Sequence, residues 1–150
     1  MPETADLQIR IEEINELSFM FKPITIPEEQ VVFGKNLLYA IGLKIELDLP
    51  IEIIKLKLLV NYTLADINDI VLSLESEIVF HVINLKAVTR KEDNEKNVNV
   101  NDEFLVTLLG VCIGTSRGIL STKTKGTIIA KYPLPILNPN DILTQMKNNK

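Results

Sequence analysis

Apolar side chains fall on every second position in three consecutive runs between residues 37 and 85, and this alternation constrains the fold more than any other feature. Every odd position from Leu37 to Leu49 is apolar, with Lys44, Glu46 and Asp48 between the later ones. Every even position from Ile54 to Leu64 is apolar, opposite Lys55, Lys57, Asn61 and Thr63. Leu72, Leu74, Ile78, Phe80 and Val82 mark one side of a run from Ile70 to about Leu85. Successive strand residues point to opposite faces, so each run predicts a strand with one apolar face. Pro50 closes the first, and residues 65–69 turn the chain after the second. Links this short require antiparallel neighbours, because a parallel return needs a crossover of about a dozen residues.

An earlier strand is predicted upstream. Leu7, Ile9 and Ile11 alternate with Gln8, Arg10 and Glu12, and Leu17, Phe19 and Phe21 resume the alternation after Glu13 to Glu16. That break predicts a bend or bulge. Pro23 and Pro27 then end the strand. The connector from Lys22 to Asn36 carries Val31, Val32 and Phe33 with little periodicity, so it reads as a loop with something to bury. From Lys86 to Asn101 the composition turns polar and mixed in charge, which predicts a mobile loop between sheet and helix.

Asn101 and Asp102 are suited to capping a helix, whose first orphan N–H groups need acceptors. Phe104 to Ile113 is almost wholly apolar, which predicts a helix buried on most of its circumference. Gly110, Gly114 and Gly118 recur every fourth residue, with Thr107 and Ser121 extending the row, so another backbone can come close. In lipid such a row would mark a dimerising span. The apolar stretch is about half the roughly 20 residues a span needs and ends at Arg117, so a packing helix is expected instead. Gly126 can stop the helix. After the proline-interrupted strip from Tyr132 to Leu137, Asn138-Pro139 starts a short terminal helix reaching about Lys147. Four strands followed by helices give an α+β layout, a four-stranded antiparallel sheet covered on one face, in a single domain over residues 1–150.

Charge and chemistry narrow the function classes. With 150 residues, a formal net charge of −4 and a pI near 5.1, no basic stripe interleaves with aromatics, so nucleic acid is not the expected partner. One cysteine allows no intramolecular disulfide, and the acidic polar start at Met1-Pro2-Glu3-Thr4 does not resemble a signal sequence. A cytoplasmic protein is expected, which leaves the sequon Asn61-Tyr62-Thr63 idle. His81 and Cys112 are the single residues of their types and have no evident third partner. Asp66 and Asp69 bracket a turn without the spaced ligands of a calcium loop, and the glycine row lacks the setting of a phosphate loop. No catalytic residue, metal or cofactor is expected. The chain reads as a non-enzyme with surplus apolar surface, since one helix cannot cover four amphipathic strands; self-association or a hydrophobic groove follows.

The order of elements resembles the SecB family of export chaperones. Ser116-Arg117-Gly118 late in the long helix, Gly126-Thr127, and Leu134-Pro135-Ile136-Leu137-Asn138-Pro139-Asn140-Asp141-Ile142-Leu143 are similar to that family's helix end, apolar-proline linker and last helix. The resemblance implies a homo-oligomer, a dimer of dimers, joined partly through edge strands and partly through the long helices. The row Thr107, Gly110, Gly114 and Gly118 would then lie at an interface. It also implies grooves for unfolded polypeptide clients. On this chain they map to Phe21, Ile26, Val32, Phe33 and Tyr39 on the connector side and Tyr132, Leu134, Ile136, Ile142 and Leu143 on the tail side. Classical members dock an export motor ATPase partly through acidic residues of the sheet, one near the end of the fourth strand. His81, Val82 and Ile83 stand there, so this partner is not carried over. Family members also include chaperones dedicated to one antitoxin.

The function expected is an ATP-independent holdase for non-native polypeptides. Two alternatives fit the same apolar surplus: a carrier of a small hydrophobic ligand, and a structural subunit that assembles through its glycine-lined helix.

Overall fold

The computed structural model describes residues 8–91 and 98–148. Four strands, β1 (Gln8–Phe21), β2 (Leu37–Asp48), β3 (Ile53–Leu64) and β4 (Asp69–Ile83), form one sheet in the order β1-β4-β3-β2, every pair antiparallel. The meander β2-β3-β4 follows from the alternation and short links. β1 pairs with β4 and not with β2, so the connector 22–36 carries the chain across the sheet to its opposite edge. Leu7, predicted to start the first strand, lies outside the described residues.

β1 carries two register shifts against β4, between Ile11 and Glu13 and between Glu16 and Ser18. They explain the broken alternation in its sequence: each extra residue restores the apolar side chains to one face.

Register places apolar residues in rows across the sheet. Phe21, Leu72, Tyr62 and Tyr39 form one row, one residue per strand, followed by Phe19, Leu74, Val60 and Ile41. Further along stand Ile14, Ile78, Leu56 and Ile45, then Ile11, Phe80, Ile54 and Leu47. The members on β3 and β4 are completely buried. Those on β1 are not: Ile9, Ile11 and Ile14 are 42–52% exposed.

The reason is the placement of two helices on this one face. α1 (Asp102–Lys123) packs over β3 and β4, and α2 (Pro139–Asn148) packs against α1 and β2, so neither covers the first half of β1. Asn101 caps α1, its side-chain oxygen accepting from the N–H groups of Glu103 and Phe104 at 2.8 and 3.4 Å. Leu105, Leu108, Leu109, Cys112, Ile113 and Leu120 bury the sheet-facing side. Ser116 interrupts them, and its hydroxyl meets that of Ser76 at 3.0 Å in the core, so each buried hydroxyl satisfies the other.

Two expectations need correcting. α1 is not buried on most of its circumference: Thr107, Gly110, Val111, Gly114 and Gly118 all face outward. A sheet offers a helix one contact surface, and α2 covers only a flank, so the remaining side is open despite its apolar sequence. By length and composition, with mean hydropathy 1.6, Asp102–Lys123 is also sufficient to cross a membrane, although here it lies on the sheet. The stretch expected to be a mobile loop is partly structured: a 3-10 turn at Leu85–Val88 leads into a two-stranded ribbon of β5 (Thr89–Lys91) and β6 (Val98–Val100). Buried Leu85 anchors the turn, and the Asn101 N–H to Val88 carbonyl bond of 2.7 Å closes the ribbon's base. Gly126, at φ 81°, comes after the helix ends and turns the chain back toward the sheet.

Candidate functional site

The connector and the C-terminal tail meet over one end of the sheet, beside the row Phe21, Leu72, Tyr62, Tyr39. The ring of Phe33 is parallel within 8° to those of Tyr39 and Tyr132, each with its centroid 5.8 Å away. It also leans on Tyr62 at 5.8 Å with a 55° tilt. The connector, β2, β3 and the tail thus contribute one ring each. Offset parallel rings at this spacing attract through their quadrupoles as well as by burying surface.

Hydrogen bonds fix the tail against this cluster. The buried Tyr62 hydroxyl donates to the Tyr132 carbonyl at 2.8 Å, and the Tyr132 hydroxyl donates to the Val31 carbonyl at 3.3 Å. Burial and the neighbouring Tyr39 push the Tyr62 hydroxyl up to about 12, against an opposing effect of Arg117. It therefore stays protonated and able to donate across the physiological range. Arg117 on α1 holds the next stretch, its Nε donating to the Leu134 carbonyl and its Nη2 to the Pro135 carbonyl, both at 2.7 Å. A partly open pocket lined by Tyr62, Leu72, Leu120, Ile129 and Tyr132 has a volume of about 10 Å³, room for one water.

The ten residues assigned to a groove by resemblance occupy different environments. Phe33, Tyr39 and Tyr132 come together in the stack, and Phe21 sits at the far end of the row that contains Tyr39. Val32 is exposed beside them, and Ile26 and Ile142 are half-buried against the core. Leu134 and Leu143 are core residues, 2% and 3% exposed, and present no free surface. Ile136 is 96% exposed, immediately after the two carbonyls that Arg117 holds. Tyr62 was not among the ten. Its even position in a strand marked it only as core, and nothing in the sequence signalled that its hydroxyl would reach the tail.

Among the described residues nothing packs on the glycine row. A Cβ placed on Gly110, Gly114 or Gly118 meets nothing within 4 Å. Thr107 shares the exposed face, but its hydroxyl folds back to donate to the Glu103 carbonyl at 3.2 Å.

The residues searched for chemistry lie apart. His81 is on the sheet face away from the helices, its Nδ1 4.0 Å from a Glu12 carboxylate oxygen that also accepts from Arg10 at 2.7 Å. Cys112 is buried under α1, and burial pushes its thiol up to about 12. Among the described residues no group of three or more His, Cys, Asp or Glu is placed to hold a metal ion. On the same open face as His81, Lys57 bridges Glu46 and Glu77 at 3.7 and 3.8 Å. No family model matches this chain, and a search of curated proteins finds no match either.

Proposed function

We propose that this protein is an ATP-independent holdase of SecB-like fold, binding non-native polypeptides at the apolar end of the sheet beneath connector and tail. The aromatic stack of Phe33, Tyr39 and Tyr132 against the row Phe21, Leu72, Tyr62 supports this reading most strongly. It is an apolar recognition surface built at the junction of two irregular segments, with exposed Val32 beside it. Such a surface takes exposed apolar side chains of a client without demanding a sequence, and a net negative chain favours basic clients. The client is a general one, as in export, or a single dedicated protein such as an antitoxin.

Self-association belongs to the same reading. β1 is an edge strand with unpaired backbone groups along one side, and Ile9, Ile11 and Ile14 beside that edge lack a cover. The open, uncharged face of α1 at Gly110, Val111 and Gly114 is a second surface of the same kind. Together they support a homo-oligomer assembled through both elements, as a dimer of dimers. The carrier alternative gains little from a partly open pocket that holds one water.

The test is titration of a permanently unfolded polypeptide into the purified protein, with the mass of each species determined by light scattering. Saturable binding to an oligomer is the expected result. A monomer indifferent to unfolded chains contradicts it.

A further inference from the structure

On the holdase reading, Phe33 covers part of the site in this structure. Its ring packs against those of Tyr39, Tyr62 and Tyr132, each with its centroid 5.8 Å away. An unfolded chain reaches the parts of these rings that Phe33 occupies only after Phe33 leaves.

The connector is built to leave as a unit. Its turn is held by its own residues: the Asn36 side chain accepts from the Val32 N–H and donates to the Gln30 carbonyl, both at 2.7 Å, and the Gly34 N–H donates to the Leu37 carbonyl at 2.9 Å. Gly34 sits at φ 90°, a conformation that L side chains rarely adopt, so the turn keeps its shape independently of what it covers. Of residues 22–36 only Val31 is buried. Toward the tail, two polar contacts fasten the connector: an exposed ion pair between Glu28 and Lys131, and the 3.3 Å bond from the Tyr132 hydroxyl to Val31. Exposed ion pairs are individually weak and screened by salt. Val31 belongs to the buried core that ties the sheet to α1, and Ile24, Ile26 and Phe33 pack against that core, so these apolar contacts are what the cover gives up on opening.

We propose that the connector is an autoinhibitory cover, with Phe33 as its plug and the Glu28–Lys131 pair as its latch, and that clients compete with Phe33 for the rings of Tyr39, Tyr62 and Tyr132. When only a fraction of molecules is open, apparent affinity falls by that fraction, so loosening the cover tightens client binding. Phe33 as an ordinary client contact has the opposite consequence, since removing it then weakens binding.

Titration of a permanently unfolded polypeptide separates the two. Phe33→Ala and Glu28→Lys are expected to bind it at least threefold more tightly than the wild type. Glu28→Lys acts at an exposed position where folding is not at stake, and the swap Glu28→Lys with Lys131→Glu, which rebuilds the pair, is expected to restore wild-type affinity. Equal or weaker binding by both single variants, with the wild type binding, overturns the cover and leaves the holdase standing. Binding by neither the wild type nor Phe33→Ala overturns the holdase reading and the cover with it.

Discussion

Phe33 and Tyr132, 99 residues apart in the chain, lie ring to ring within 7° of parallel at 5.8 Å. This contact joins the segment that crosses the sheet to the segment that follows the long helix. It brings the two irregular parts of the chain to one place, above the row that runs from Phe21 to Tyr39.

The Tyr62 hydroxyl is the hydrogen-bond donor under that junction, reaching the Tyr132 carbonyl at 2.8 Å. Tyr62→Phe keeps the ring and removes the bond, and is expected to cost about 1 kcal/mol in urea unfolding. A variant as stable as the wild type would mean that water replaces the lost donor.

The Ser76–Ser116 pair is the polar break in an otherwise aliphatic helix–sheet contact. Ser116→Ala leaves the Ser76 hydroxyl buried without its partner, and a loss of about 1–3 kcal/mol is expected. Ser76→Ala with Ser116→Ala removes both hydroxyls, so its cost is expected to fall below the sum of the single costs. Strict additivity in chemical denaturation would contradict direct pairing.

Arg117 holds the linker through two carbonyls at 2.7 Å. A lysine offers a single ammonium in place of the planar fork, so Arg117→Lys should lose one of the two bonds. Faster cleavage between residues 132 and 138 in limited proteolysis is the expected outcome; an unchanged cleavage rate would show that buried Leu134 alone anchors the linker.

Alkaline stability follows from Tyr62 and Cys112, both pushed up to about 12, in each case chiefly by burial. Raised above their unfolded values, they keep protons in the folded state that the unfolded state has released. Their contribution to stability is therefore complete below the unfolded range, near pH 9–10, and is lost as pH rises from there to about 12. Urea midpoints should be level from pH 7 to 9 and fall above it. A midpoint that rises between pH 9 and 11 contradicts the sign.

Gly114 tests self-association. A Cβ there meets nothing within 4 Å among the described residues, so the fold should tolerate Gly114→Leu, while a second helix backbone packed on this face would not. A fall in mass by light scattering with unchanged circular dichroism is expected. An oligomer of unaltered mass would place the interface elsewhere.

The sheet was legible because its signal is local: alternation from residue 37 to 64 needs no tertiary information, and the break at Glu13 to Glu16 announced the bulges in β1. The exposure of α1 was not legible. An apolar helix sequence cannot tell whether its second side meets the same chain, another chain or solvent, and here Gly110, Val111 and Gly114 are exposed among the described residues. The candidate site was legible in part. Phe33, Tyr39 and Tyr132 stood out as aromatics in or beside irregular segments, but their stacking depends on the crossing path of the connector, which no local pattern encodes. Leu134 and Ile136 show the limit best. Two residues apart in one proline-bearing strip, they end up buried and fully exposed because Arg117 fixes the backbone between them.

The most direct test of polypeptide binding is calorimetric titration of a soluble chain that cannot fold into the wild-type protein and into Phe33→Ala. A holdase predicts saturable binding at micromolar concentration or tighter, with the negative heat-capacity change of apolar burial. No heat and no complex with either protein would contradict it, leaving a four-stranded sheet and two helices whose apolar surplus serves assembly alone.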